Sequence, residues 1–422
     1  MEMDLKNQVE LITEVVAGVA ADKNKIIRFA IKADPVRPFD SRDKIPGISL
    51  IDCDGMDFWA YEDAGMASGA FLAAESLRFE MDGSHTAFIN ARNTFEGICH
   101  IYRLGMKKCE GFFPKPYGGK FSEHFSRDQY LMVMDGLARF YRIADASQKE
   151  LCLRMICAMS DYWRGIDYST TYFSLGRASH LRDHIAGMFL GVAYIPYLLT
   201  RQKKYYDEFI RLLEQENLGS LMDLTLRSFF RSGRTYDNAM FFRQNENACM
   251  LKCIALDYLC RHDDERRGYW RQCLEHLLTQ DIFIELSEKD SLNYSIMKYD
   301  PSSDSVSLTG PGVIEALDNP LKLSILNWGG RRRNPGSAQS AFSALVAAAH
   351  LDRPDGADKA AEVLAGFTLP KFASLTVDSP ADIPPEREFE LGSLRVSCMA
   401  FYLYSYQLLR LLTVPACLGT VN

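Results

Sequence analysis

The chain has 422 residues, 47% of them hydrophobic and 24% charged, an ordinary globular balance with material for a large core. Its formal net charge is -7 and it has no long Lys/Arg run, which argues against a duplex nucleic-acid binder, since that needs a basic stripe to neutralise phosphates. The most apolar stretch, Ile185 to Leu199, contains Pro196 and falls short of the about 20 residues that span a bilayer; Met1 to Asp4 lacks the basic start of a secretory signal, so a cytoplasmic protein away from membranes is expected.

Helical periodicity dominates the chain. In order it predicts helices over about 5–32, 64–80, 85–104, 127–143, 148–164, 180–199, 203–216, 243–261, 265–279, 337–350, 355–367 and 393–412. Short extended pieces are expected near Ile282 to Leu286 and Leu292 to Tyr299. Arg331, Arg332 and Arg333 form a compact basic cluster, read as a solvated loop or a local anion contact. The 11 cysteines include Cys249, Cys253 and Cys260 on one helical stripe and no CxxC pair. They read as reduced core thiols.

The connections alternate. Short links fall at Met81–Ser84, Asp145–Ser147, Arg201–Gln202, His262–Asp264 and Asp352–Pro354. Long ones fall at Asp34–Asp63, Gly105–Ser126, Gly165–Ser179, Asn217–Phe242, Gln280–Gly336 and Thr368–Gly392. A short link makes an antiparallel hairpin, so alternation brings every long loop to one end. Five hairpins, with the first helix paired to the last, give an all-α (α/α)6 toroid: one domain over residues 1–422, six inner and six outer helices. The inner set would start near 64, 127, 180, 243, 337 and 393, where small and apolar residues cover most faces.

In that arrangement the inner helix starts converge. They carry Trp59, Glu62 and Asp63; His124, Ser126, Arg127 and Asp128; His180, Arg182, Asp183 and His184; Arg243, Glu246 and Asn247; Trp328; and Arg395. Ser126 with Gln129 fits a capping box. His180 and His184 share a helix face but lack the glutamate and third ligand of a zinc site, so neither metal nor cofactor is expected. The loop Gly111 to Lys120 offers Lys115 and Tyr117 towards a ligand. Trp59, Phe113, Tyr117, Tyr172, Tyr236 and Trp328 suit stacking on sugar rings. Asp63, Asp128, Asp183 and Glu246 suit general acid and base work. Lys115, Arg127, His180, Arg182 and Arg243 suit an anionic sugar. No GxSxG elbow, GxGxxG fingerprint or phosphate loop occurs.

The stretch Asp128-Gln129-Tyr130-Leu131-Met132-Val133-Met134-Asp135-Gly136-Leu137-Ala138-Arg139-Phe140-Tyr141 resembles the second inner helix of the unsaturated uronyl hydrolases. Asp63, before Ala64, Gly65 and Met66, resembles the aspartate that opens their first. The resemblance implies that Asp128 protonates the vinyl-ether bond of an unsaturated uronic acid, after which water adds to give an unstable hemiketal. Ser126-Arg127 stands where the family has tryptophan before the aspartate, and Glu62-Asp63 stands where it has His-Asp. The same toroid resembles that of glucuronidase-like hydrolases and of uronate lyases. The expectation is therefore a glycoside hydrolase acting on uronic-acid-containing oligosaccharides. A lyase using Tyr117, Tyr294, His180 or Asn247, and a non-catalytic carbohydrate-binding or scaffold protein, remain as alternatives. No oligomeric state follows from the residues.

Overall fold

Helix α2 (Ala64–Asp82) buries every residue from Ala64 to Leu77, because small and apolar side chains surround it. Its neighbour α3 (His85–Gly105) buries a stripe that includes Ala87, Ala91, Phe95, Ile98 and Tyr102, spaced by three and four. Ser84 caps α3 by accepting from the Ala87 N–H, and Gly83 closes α2 in the left-handed region at φ 62°. The two-residue link between them therefore reverses the chain.

The computed structural model describes residues 2–33, 36–37, 60–171, 177–182, 186–215, 239–243, 246–278, 294–300, 305–308, 337–373 and 392–413; across them the chain is mostly helical, with a few short strands. The same hairpin logic joins α4 (Arg127–Ile143) to α5 (Ala146–Gly165), and α6 (Met188–Thr200) to α7 (Lys203–Leu213). It also joins α8 (Glu246–His262) to α9 (Arg267–Leu277), and α10 (Ser337–His350) to α11 (Pro354–Gly366). Helix α12 (Val396–Thr413) follows, and α1 (Glu2–Glu14) opens the chain. Within each hairpin the two helices pack together, and α1 packs on α12. Between hairpins, α2 packs on α4, α4 on α6, α6 on α8, α8 on α10, α10 on α12 and α12 on α2.

Glycine sets how closely α2 and α4 approach. A Cβ on Gly69 would lie 2.6 Å from the Met132 carbonyl oxygen, and one on Gly136 would lie 2.5 Å from that of Gly69. No side chain fits at either position, so the two backbones touch directly. The buried surface behind this contact is continuous with Cys249, Cys253 and Cys260 on α8, which are buried as expected of core thiols.

The strands tie segments distant in sequence. β1 (Ala30–Ala33) pairs antiparallel with β2 (Val36–Arg37) and with β8 (Ser393–Arg395), setting Ile31 opposite Leu394. β3 (Ser169–Thr171) pairs with β4 (Arg177–Ser179). β5 (Ala239–Arg243) pairs with β6 (Tyr294–Asp300), the extended piece expected near Leu292 to Tyr299, and β6 pairs with β7 (Ser305–Leu308). The expected piece at Ile282 to Leu286, and Arg331 to Arg333, lie outside the described residues. Among the described residues no helix is long and apolar enough to cross a membrane.

Two expected helices begin or end elsewhere. The first, expected over 5–32, runs α-helically to Glu14 and as a π turn over Val15–Ala20. Asp22 then competes with the helix: its Oδ1 accepts from the Asn24 and Ile26 N–H groups at 2.8 and 2.9 Å, folding a turn in which Lys25 takes φ 66°. The helix expected from 180 begins at Met188. Arg177–Ser179 is a strand and His180–Arg182 a short 3-10 turn. The pairing of Arg177–Ser179 with β3, continued by the His180 N–H donating to the Tyr168 carbonyl at 2.9 Å, holds this polar run extended and delays the helix.

Candidate active site

Asp63 stands at the N-cap of α2, where an aspartate ordinarily accepts from the first helical N–H groups. It makes no such bond. Its Oδ1 instead faces Lys115 Nζ at 3.5 Å and accepts from Gln129 Nε2 at 3.2 Å. Lys115 Nζ also lies 3.4 Å from Glu62 Oε1, and its side chain is only 3% exposed. The loop Gly111 to Lys120 delivers this lysine: the Lys115 N–H donates to the His124 carbonyl at 2.7 Å, and Ser122 Oγ donates to the Lys115 carbonyl at 2.7 Å.

Burial is the largest influence on Asp63 and pushes its carboxyl up to about 6. Lys115 and Arg395 oppose that rise, while Glu62 and Asp128 reinforce it by like-charge repulsion. The side chain is 28% exposed, so it lies deep yet open on one side. Burial and Lys115 hold the His124 imidazole below its ordinary value, against the pull of Glu123.

Asp128 opens α4 in a different setting. The expected capping box does not form: Ser126 makes no cap bond, and its hydroxyl donates to Asp128 Oδ1. The Gln129 N–H donates to the same oxygen at 3.0 Å. Asn247 Nδ2, from the first turn of α8, donates to Asp128 Oδ2 at 3.2 Å, and Gln339 Nε2, from α10, donates to Asn247 Oδ1 at 3.4 Å. All of these partners of Asp128 donate, the pattern of an ionised, acceptor-only carboxyl group. Gln129 has turned away from its expected capping role: its Nε2 donates to the Glu62 carbonyl at 2.8 Å and to Asp63 Oδ1 at the N-cap of α2, which carries its Oε1 away from the Ser126 N–H.

A third group joins from the β3–β4 hairpin. Arg127 Nη1 lies 2.7 Å from His180 Nδ1, and His180 Nε2 meets Thr170 Oγ1. A guanidinium only donates, so Nδ1 accepts and the imidazole proton sits on Nε2. His180 thus holds the Arg127 guanidinium from the turn after β4.

No protein-family model matches the chain, and a search of the curated proteins finds no match either.

The structure thus brings together Asp63, Lys115, Arg127, Asp128, His180 and Asn247, which come from four expected helix starts, the third of them a 3-10 turn, and one loop. Arg395 of β8, at the last helix start, adds its charge to Asp63. Tyr117 and Phe113 are buried in the loop's own packing. The Tyr117 ring meets the His124 edge at 6.0 Å, and Phe113 packs on Tyr130 at 6.1 Å. Trp59, Tyr172, Asp183, His184, Tyr236 and Trp328 lie outside the described residues, as do the side chains of Arg182, Arg243 and Glu246. Glu246 begins α8 one residue before Asn247. Among the described residues no group of three or more His, Cys, Asp or Glu is placed to hold a metal ion.

Sequence reasoning passed over Gln129 as a bridging residue, and Ser126, Thr170 and Gln339 as partners. Gln339 carried a usable signal: it is the third residue of α10, the same turn that holds Asn247 on α8 and Gln129 on α4. Chemically, the arrangement sets one carboxyl group that holds its proton up to about pH 6 beside one that is surrounded by donors. That is the division needed between a general acid and a general base.

Proposed function

We propose that this chain is an (α/α)6 toroid and a glycoside hydrolase acting on uronic-acid-containing oligosaccharides, with Asp63 as proton donor and Asp128 as its ionised partner. The toroid reading is supported by the run of helix contacts, which passes α2, α4, α6, α8, α10 and α12 and returns to α2. Convergence of the helix starts supports it too, since Asp63, Asp128, Asn247 and Gln339 belong to four of these helices and are linked by hydrogen bonds.

The observation that carries the functional reading is the contrast between the two carboxyl groups. Asp63, raised to about 6, retains a proton where an ordinary aspartate has lost it. Asp128 only accepts. In hydration of an unsaturated uronyl ring, Asp63 gives its proton to the vinyl-ether double bond. Water adds to the resulting cation and passes a proton to Asp128, and the hemiketal then opens to a ketone, its ring oxygen taking up the hydroxyl proton. The former anomeric carbon thereby becomes a hemiacetal that expels the neighbouring sugar as its alcohol and leaves an aldehyde. This exchanges the role that family resemblance put on Asp128 alone for a division between two aspartates. Arg127 and Arg395 bring positive charge to the same end and suit a uronate carboxylate.

Absorbance of a conjugated uronate tests the reading. On an unsaturated uronyl disaccharide the signal disappears with a hydrolase of this kind. A lyase instead makes it appear from an intact uronate chain, and an ordinary glucuronidase releases reducing sugar with neither change. Asp63→Asn and Asp128→Asn are each expected to lose turnover about a hundredfold or more while remaining folded. Retention of near-normal turnover by both variants overturns the assignment.

A further inference from the structure

Gln129 is nearly fully buried; its side-chain amide donates to Asp63 and its backbone N–H to Asp128. The side-chain amide nitrogen donates to the Glu62 carbonyl at 2.8 Å as well as to Asp63 Oδ1. Since a carbonyl accepts only from a donor, this fixes the amide orientation, with Oε1 on the other side. There Oε1 is buried with no hydrogen-bond partner among the described residues. It faces Gly65, where any Cβ would lie 2.5 Å away. An orphaned buried acceptor costs about 1–3 kcal/mol. An unpaired oxygen lying where a side chain at position 65 would otherwise stand is what remains when an amide is held for its nitrogen alone.

We propose that the Gln129 side chain is a positioning group for Asp63: with Lys115 it occupies Oδ1 of Asp63, so the acid proton rides on Oδ2, while the Gln129 backbone N–H and Ser126 hold Oδ1 of Asp128 and Asn247 holds its Oδ2. The inference rests on the carboxylate pair proposed above and not on the identity of the sugar. It makes Gly65 part of the same device, because only glycine leaves the amide room to reach Asp63. The groups that bear on Asp63 from each neighbouring element are Glu62 beside it, Lys115 from the loop, Asp128 from α4 and Arg395 from β8. Gln129 adds no charge to this set and acts by donating.

Titration of the Asp63 side-chain carboxyl by carbon NMR in the ligand-free full chain tests this without reference to turnover; the resonance is assigned by its loss in Asp63→Asn. The wild-type inflection is expected near 6. In Gln129→Met the ionised form loses a donor and the inflection should rise by about half a unit to one unit. Gln129→Glu keeps the side-chain shape and adds a negative charge, so it should rise further. Gly65→Ala, which displaces the amide while leaving Gln129 in place, should reproduce part of the Met shift. A fold supported by Gln129 for packing alone would show a lower melting temperature with the inflection unmoved in all folded variants, and that result overturns the proposal. Where substrate turnover is measured, Gln129→Met should lower kcat about tenfold with KM little changed, and the basic limb of its pH profile should move with the NMR inflection. Absence of turnover in the wild-type chain would count against the hydrolase reading and leave the NMR comparison to decide the role of Gln129.

Discussion

Helix α4 carries two polar centres two turns apart, about 10 Å along its axis, and they are built on opposite principles. At its start, Asp128 is held by neutral donors, and the neighbouring carboxyl groups Glu62 and Asp63 crowd Lys115. Further along, Asp135 is fully buried and closed on every side. It accepts from Arg139 Nε at 3.2 Å, from Tyr258 at 2.8 Å and from Tyr404 at 2.7 Å. Arg139 continues to Asp257 Oδ2 at 3.1 Å, and Asp257 Oδ1 takes Arg261 at 2.8 Å and His350 at 2.7 Å. This second network binds α4, α8, α10 and α12 together, and Arg139 lies 5.2 Å from the Tyr404 ring centre. Its two carboxylates meet two arginines and a histidine. The start of the helix has three carboxyl groups, Glu62, Asp63 and Asp128, near Lys115, Arg127 and Arg395, and its Asp63 is buried without a hydrogen bond from a cation among the described residues. At the closed centre each carboxyl group is met by arginine and by further donors and fixes the fold; at the open one burial, reinforced by Glu62 and Asp128, raises Asp63 so that it has a proton to give.

The sharpest way to break this comparison is Asp135→Asn. It removes a charge from the closed network and leaves Arg139 buried without one of its two carboxylates. Stability measured by urea unfolding is expected to fall by about 3–5 kcal/mol. A loss below about 1 kcal/mol would show that the network is not held by charge. A second test acts on the backbone between the two centres. Gly136→Ala places a methyl group against the Gly69 carbonyl oxygen, which cannot move aside, and should cost about 1–3 kcal/mol by the same measurement. It should also reduce turnover, because the α2–α4 contact sets how Asp63 meets Asp128.

Acid titration sharpens the contrast further. Burial works against the Asp257 carboxylate, but Arg261, His350 and Arg139 together hold it below its ordinary range. The stability it contributes is therefore present above the unfolded carboxylate range and lost as pH falls beneath it. Asp63 behaves oppositely. Its folded state keeps a proton that the unfolded chain has released, so between pH 6 and about 3.8 the native state binds more protons. Stability from this group rises as pH falls through that window. Asp63→Asn should remove that rise and be the more stable protein at pH 7, as expected where a charged group is kept buried for function. Equal pH slopes for the two proteins across this window would sink the account of Asp63.

How far these centres were legible depended on what holds them. The hairpins could be read because each is a local matter: Ser84, Gly83 and the Asp145–Gln148 capping box act within a few residues of the chain they turn. Asp63, Asp128, Lys115 and Asn247 could be named because loop alternation puts helix starts at one end and charged residues there are conspicuous. Their division of labour could not, since it comes from Asn247 reaching across 119 positions of sequence and from burial that no spacing reveals. Asp135 lay within the motif that suggested the family, but nothing local distinguished it from a surface aspartate; Tyr404, its partner, is 269 positions away. Gln129 misled because its position three residues after a serine satisfied a local rule that the fold overrode. The β3–β4 hairpin misled for the same reason, since His180 finds its partners on another helix and another strand.

The smallest expected effect separates positioning from support at the open centre. Ser126→Ala deletes one neutral hydroxyl that donates to Asp128 Oδ1, while the Gln129 N–H and Asn247 remain. A neutral hydrogen bond at a half-buried site is worth about 1 kcal/mol. If Ser126 were a helix cap, that loss would appear as a lower melting temperature, as for other N-cap serines. Because it makes no cap bond, the melting temperature should shift little, and the loss should appear in catalysis as a roughly fivefold fall in kcat. The closed network permits no such separation, since every group there that orients a carboxylate also neutralises or solvates it. A variant of Ser126 that melts earlier but turns over normally would return this residue to the capping role and make the two ends of α4 more alike than their hydrogen bonds suggest.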